Sequence, residues 1–305
     1  QGSAISHVDV ASVTIKVNDD GFYSMMIGAT DMGTGCDTIL AQMAADCLDT
    51  HVDNIVVYGV DTDISPYDSG SYASSTTYLT GNATIKTCQM LREKIIAAGA
   101  EMLEIDIEDA DFDGEKVYSV KEEKSITLKD IANNVMCYSN HTLTATAKEK
   151  TPVSPPPYMA GAVEIELDKE TGHVEIIDYA ACVDCGTVIN PALATVQTEG
   201  GLVQGIGMAL YEDVQYDKRG RILNDSFMQY KIPTRLDMGK IRVEYESSYE
   251  PSGPFGAKSI GELVINTPSP ALCHAIYNAS GVWINELPMT SEKIAMGILK
   301  NNLEA

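Results

Sequence analysis

Alternating apolar and polar positions open the chain. Ala4 to Val17 follow the two-residue period of a half-buried strand, and Asn18-Asp-Asp-Gly21 supplies a hairpin turn. The return strand, Phe22 to Ile27, runs into a glycine loop ending at Gly35. Beyond it the period becomes helical: Ile39, Met43, Ala44, Cys47 and Leu48 mark one face over Thr38 to Leu48. A short strand is predicted from Ile55 to Val60. The polar, small-residue stretch Ser69 to Thr77 then leads into a long helix over Leu79 to Leu103. Glu115 to Leu128 reads as a hairpin and Asp130 to Met136 as a short helix.

Four prolines between Thr151 and Pro157 mark a boundary, and the second half repeats the grammar of the first. Strand Ala162 to Leu167 turns at Asp168 to Gly172 and returns as His173 to Val183. A glycine-containing loop precedes a helix over Ala192 to Leu210, and a further helix spans Pro268 to Ala279. The fold class expected is α+β, built from two repeated hairpin–glycine turn–helix units, 1–150 and 151–305. A strand begins almost at the first residue, so we expect either that the start is processed or that this chain is the later part of a larger unit whose beginning another polypeptide supplies.

Composition narrows the function. Hydrophobic residues at 44% and charged residues at 21% exclude a disordered or fibrous chain. With 21 basic and 44 acidic residues the formal charge is −23, which repels nucleic acid and an anionic membrane surface. No apolar run approaches the roughly 18–20 residues of a membrane-spanning helix, and no signal peptide is visible. Seven scattered cysteines point to reduced thiols and a cytoplasmic location. The close pair Cys182 and Cys185 lacks the second pair that a structural zinc site needs. The five histidines have no ligand spacing.

Three loops have a composition suited to ligand binding. Asp31-Met-Gly-Thr-Gly35 joins strand to helix, where glycine backbone and a helix N-terminus favour a close anionic ligand. It lacks the third glycine of a dinucleotide loop and the lysine of a P-loop, and a plain strand-to-helix turn is the alternative. Tyr72 to Thr77 presents four hydroxyls in succession, more than a helix cap requires. Gly256 to Glu262 places a glutamate directly after a glycine at a helix entrance, where a confined, desolvated carboxylate is a stronger base. A solvated surface charge is the alternative for any single glutamate.

Taken in order, these loops resemble the molybdenum-binding subunit of the xanthine dehydrogenase and aldehyde oxidase family, in the second half of its molybdenum region. Met32-Gly33-Thr34-Gly35 stands at the family's pterin loop, with Thr34 where many relatives carry glutamine. Gly70 to Ala83 is similar to the small-residue loop beside the metal. Asn190-Pro191 with Gln197 to Gly200 and Gln204-Gly205, Tyr230 to Pro233, and Ala257 to Glu262 complete five matching segments.

The resemblance implies a site. Glu262 would be the catalytic base that activates the oxygen nucleophile. Met32, Gly33, Thr34, Gly35, Ser74, Ser75, Thr76, Thr77 and Gln197 would hold the cofactor, with Tyr72 and Ala73 close to substrate. The cofactor implied is molybdopterin, in its cytosine dinucleotide form, carrying molybdenum with a sulfido or selenido ligand, and no residue of this chain binds the metal directly. It also implies partners: a large molybdopterin subunit with the first half of the molybdenum domain, an Fe–S subunit and an FAD subunit. The division into subunits resembles the family's nicotinate dehydrogenases, so hydroxylation of an N-heterocycle such as nicotinate is the activity implied. Purine or aldehyde oxidation, and a pterin-binding scaffold without turnover, are the alternatives. The glycines at 200, 201, 205 and 207 are expected to pack against the cofactor.

Overall fold

Val13, Ile15 and Val17 bury one face of the first strand, β1 (Ala11–Val17), while Thr14 on the opposite face pairs with Thr146 at 2.8 Å. The strand starts at Ala11 rather than Ala4. The N–H groups of Val8 and Asp9 donate to the Ile5 carbonyl, and Asp9 Oδ2 accepts from Ile5 N–H at 2.6 Å, so this segment turns instead of extending. The computed structural model describes residues 2–304.

Two compact units emerge. The first comprises Gly2–Pro156 together with Tyr249–Ser259; the second comprises Pro157–Ser248 and the chain from Ile260 onward. The return of Tyr249–Ser259 to the first unit differs from a single division of the chain at about residue 150.

In the first unit β1 pairs antiparallel with β2 (Tyr23–Ile27), Val13 opposite Ile27. Helix α1 (Cys36–Cys47) carries the chain to β3 (Ile55–Tyr58), which lies parallel to β2. Next come α2 (Gly81–Leu103), a small sheet of β4 (Ala110–Phe112), β5 (Lys116–Ser119) and β6 (Ser125–Thr127), and α3 (Leu128–Tyr138). Strand β7 (Thr144–Glu149), which the hydrophobic pattern does not single out, pairs with β1 and completes the order β3-β2-β1-β7. Helix α2 packs on this sheet through Ala83, Thr87, Leu91 and Ile95, at successive i, i+4 positions. Burying Leu91 and Ile95 completely contributes about 1.5–3 kcal/mol each.

The second unit repeats the arrangement. Strands β8 (Tyr158–Leu167) and β9 (Val174–Asp184) form a hairpin, α4 (Pro191–Leu210) follows, and β10 (Lys240–Tyr245) returns parallel to β9. Its core joins Ile176 and Tyr179 of β9, Leu202 and Ile206 of α4, and Leu272 and Ile276 of α5 (Pro268–Ser280). Ile294, from the terminal helix α6 (Ser291–Glu304), also joins this cluster. The α+β class and the repeated hairpin–turn–helix unit are therefore present, and each repeat gains a strand parallel to its second. No helix among the described residues is long and apolar enough to cross a membrane.

One core position is not optimised. Tyr23 is fully buried and its hydroxyl has no hydrogen-bond partner among the described residues. Burial pushes its ionisation up, so the hydroxyl is a neutral, unsatisfied group. Tyr23→Phe should raise stability by about 1 kcal/mol, read from chemical denaturation. A loss of stability would mean that the hydroxyl has a partner.

Candidate functional site

Each predicted loop has a local structural cause. Gly35 is the left-handed N-cap of α1 (φ 75°), and Gly33 is also left-handed (φ 96°), so the backbone bends sharply between strand and helix. Asp31 organises this bend: its Oδ1 accepts from Gly33 N–H at 2.8 Å and Gly35 N–H at 3.1 Å. The glycine N–H groups are thus occupied by the loop's own carboxylate, which corrects the view that they cradle a ligand anion. Nothing lies within 4 Å of where a Gly33 side chain would project, and Met32 is 69% exposed, so the outer face of the loop is open.

Asp31, Cys36 and Asp37 bring three potential ligand atoms within 4.8 Å of one another. Burial, followed by the charges of Asp31 and Asp37, pushes the Cys36 thiol up to about 12. The cluster sits at the start of α1, with Asp37 in the first helical turn, where acidic groups complement the helix N-terminus.

The hydroxyl loop is held in a strained form. Ala73 (φ 52°) and Ser74 (φ 60°) are consecutive left-handed non-glycine residues, a conformation that costs roughly 1–2 kcal/mol per residue. Ser75 Oγ donates to the Gly70 carbonyl at 2.8 Å, and Thr76 Oγ1 donates to Ser71 Oγ at 2.8 Å. These two hydroxyl protons shape the loop. Ser74 is buried, Thr77 half-buried, and Tyr72 exposed. A π-helical turn over Thr76–Thr80 leads into α2. The loop also grips Tyr249–Ser259: Tyr78 N–H donates to Ser259 Oγ at 3.1 Å, and Tyr78 Oη donates to Ser252 Oγ at 2.8 Å.

Asp68, which the sequence reading passed over, ties the start of this loop by accepting from Gly70 N–H (2.8 Å) and Thr80 Oγ1 (3.2 Å). Burial nevertheless holds its carboxyl above the usual carboxylate range. Because the folded form binds this proton more readily than the unfolded chain, the group's contribution is lost as pH rises above about 4. Asp68→Asn should flatten that part of the melting-temperature profile, and an unchanged slope would contradict the assignment. The Asp-x-Gly spacing at Asp31 and Asp68 was the available signal for both residues.

In the second unit, Asn190 caps α4 by accepting from Leu193 N–H at 3.1 Å, with Pro191 at the first helical position. About two turns beyond the cap, Gln197 Nε2 donates to the Gly261 carbonyl at 2.9 Å. That bond pins the residue preceding Glu262. The segment after Glu262 is fixed from the same helix: a side chain at Gly201 would overlap Val264, and one at Gly205 would press on Pro268 and the Ile265 carbonyl. Gly207 lies against Glu212 and Pro233, and only Gly200 of the four faces open space. Protein packing, rather than a cofactor, accounts for three of these glycines. Glu262 itself is exposed, which corrects the expectation of a carboxylate confined by this chain.

The predicted residues therefore fall into two groups: Met32 to Gly35 with Tyr72 to Thr77 in the first unit, and Gln197 with Glu262 in the second. A family model described as a molybdopterin cofactor-binding domain matches residues 1–239. The chain belongs to that family. Among relatives of this molybdopterin-binding chain, the protein named "Probable hypoxanthine oxidase XdhD" from Escherichia coli K12 is 34% identical over 98% of this chain and 32% of its own length. The nicotine 6-hydroxylase large subunit of Paenarthrobacter nicotinovorans is 30% identical over 93% of this chain and 36% of its own. CO dehydrogenase from Oligotropha carboxidovorans matches in structure with a TM-score of 0.86 at 27% identity, over 97% of this chain and 38% of that one. The chain thus spans about a third of the length of these relatives.

The residues present fit a flat, hydrogen-bonding cofactor such as the pterin. Within the first unit, the open backbone face at Gly33 admits a planar ring edge and the hydroxyl loop is fixed in shape before any ligand arrives. Within the second unit, taken by itself, Gln197 is oriented through its amide nitrogen.

Proposed function

We propose that this chain is the part of a molybdenum hydroxylase that carries the catalytic base, and that its enzyme hydroxylates an electron-poor carbon beside the nitrogen of an N-heterocycle. The observation that carries the reading is the placement of Glu262: exposed, preceded by a backbone that Gln197 pins, and followed by a segment packed against glycines of α4. A carboxylate on so constrained a backbone suits proton transfer at a defined position. The names of two relatives, a hypoxanthine oxidase and a nicotine hydroxylase, support the nitrogen-heterocycle class. Within it we propose nicotinate, converted to 6-hydroxynicotinate.

When bound, the molybdenum cofactor would supply the two-electron oxidation, with water as the oxygen source. Glu262 would accept the proton from the attacking oxygen at its carboxylate. Gln197 would hold the Gly261 carbonyl and accept from a pterin N–H. Met32 to Gly35 would present the open backbone face, Ser74 to Thr77 would border the cofactor, and Tyr72 and Ala73 would lie near substrate. The cytosine dinucleotide form, a sulfido or selenido ligand, a large molybdopterin subunit and Fe–S and FAD subunits in the cytoplasm belong to the same proposal.

Elemental analysis of the chain purified natively with its partners tests it. About one molybdenum per chain, with several irons, is the expected result, and selenium in the same sample would select the selenido ligand. An intact native preparation without molybdenum would overturn the proposal.

A further inference from the structure

None of the seven cysteines takes part in the proposed reaction, yet two of them, distant in the sequence, meet within the first unit. Cys47 ends α1 and Cys88 lies inside α2. The two helices hold a fixed register here. A side chain at Gly81 would press on the sulfur of Met43, Cys88 Sγ sits 4.0 Å from the Ala44 carbonyl, and Arg92 pairs with Asp49 at 2.7 Å. Cys47 stands between Ala44 and Asp49 in this row of contacts, and the Cys88 thiol donates a hydrogen bond to it.

The two thiols differ in access and in reactivity. Cys88 is fully buried, whereas Cys47 is half-buried. The hydrogen bond from Cys88, acting against burial and the charges of Asp46 and Asp49, holds the Cys47 thiol below its ordinary range. The same bond, followed by burial, keeps Cys88 neutral. Because the thiolate is the nucleophile, an oxidant arriving from solvent meets the reactive sulfur first and the protected one second. The pair that is close in sequence, Cys182 and Cys185, is built differently. Along the extended end of β9, residues three apart lie about 10 Å from each other. A disulfide tolerates no more than roughly 7 Å between Cα atoms.

We propose that Cys47 and Cys88 form a reversible disulfide under hydrogen peroxide, with Cys47 as the attacking thiol and Cys88 as the resolving one. The Cys47 sulfur attacks one peroxide oxygen and the O–O bond breaks. Cys47 becomes a sulfenic acid, and the released hydroxide takes up the proton that Cys47 gave up, leaving as water. The Cys88 sulfur then attacks the Cys47 sulfur, the S–O bond breaks, and hydroxide leaves with the Cys88 proton as a second water. The two thiols lose two electrons and the peroxide gains them. A dithiol reductant reverses the link by thiol–disulfide exchange. The ring so closed, 47–88, contains β3 and the hydroxyl loop of Tyr72 to Thr77, so oxidation ties together the two helices that flank that loop in the chain.

Peptide mapping of the natively purified complex tests this. Hydrogen peroxide is raised until exposed Cys137 or Cys182 is modified; the remaining thiols are then alkylated in denaturant, and the protein is digested with trypsin without reductant. Cleavage after Lys86 places Cys47 and Cys88 on different peptides. These peptides are expected to be joined, lighter by two hydrogen atoms, and separated by dithiothreitol. Cys47 and Cys88 both recovered alkylated would overturn the proposal, as would either one joined to a different cysteine. Cys88→Ala should stop at a sulfenic acid on Cys47 that dimedone traps, and Cys47→Ser should leave Cys88 unmodified. Oxidation of Cys88 in the second variant would overturn the assigned order. Should either variant not fold, the map of the unaltered chain decides. Closing a ring of this length should raise the melting temperature of the oxidised protein by about 5–15 °C over the reduced form. An unchanged or lower value with the link formed would overturn its role as a staple.

Discussion

Glu262→Gln should lower turnover of the assembled enzyme by at least about 10²-fold, the lower bound for removing a general base, and by 10⁴-fold if proton removal limits the reaction. Glutamine keeps the size of the side chain and loses only the basic oxygen. The side chain is exposed and its backbone is held by neighbours, so the variant should fold normally and keep its molybdenum. The measurement is steady-state turnover alongside metal content. Full activity with full metal would remove Glu262 from the reaction and leave a pterin-binding scaffold as the better description. Loss of both would indicate assembly rather than proton transfer.

Gly201→Ala is expected to act on the same loop from behind. The added methyl would overlap the buried Val264 side chain, which cannot move without shifting the turn that follows Glu262. Overpacking of this kind costs about 1–3 kcal/mol, opposing the roughly 1 kcal/mol that alanine gains over glycine in a helix. A displacement of about 1 Å in the glutamate would lower turnover by a further ~10²-fold. Gly200→Ala is the internal comparison. Nothing lies within 4 Å of that position, so there the helix preference acts alone and stability should rise by about 1 kcal/mol. Denaturant melts of both variants, with turnover, check the pair. Equal effects at 200 and 201 would show that the packing against Val264 does not position the loop.

Each of the three loops singled out in the sequence carries constrained backbone: left-handed Gly33 and Gly35, left-handed Ala73 and Ser74, and the Gly261 carbonyl held by Gln197. What could not be read was the assignment of donors within them. Gly33 and Gly35 looked available to a ligand, yet Asp31 takes both N–H groups, and Ser75 and Thr76 direct their hydroxyl protons inward. A string of residues gives the number of polar groups in a loop but not their partners, which depend on dihedral angles a few degrees apart. The exposure of Glu262 was equally hidden, because enclosure depends on atoms distant in the chain or supplied by another.

Local chemistry determined much of this protein. Period-two and period-3.6 patterns are set by contacts within a few residues, so the hairpins β1–β2 and β8–β9 and the helices α1, α2, α4 and α5 were legible, as was the repeated α+β unit. Tertiary structure alone decided the partners of these elements. Strand β7 pairs with β1 and β10 lies parallel to β9 across intervening helices, and neither pairing has a local signal because its hydrogen bonds form between residues far apart in the chain. Packing between α4 and the segment after Glu262 likewise explains Gly201 and Gly205, whose purpose no neighbouring residue reveals. Sequence marks where the backbone bends and which faces are apolar; only the folded chain determines which buried surfaces meet, because complementarity of shape is a property of two segments at once.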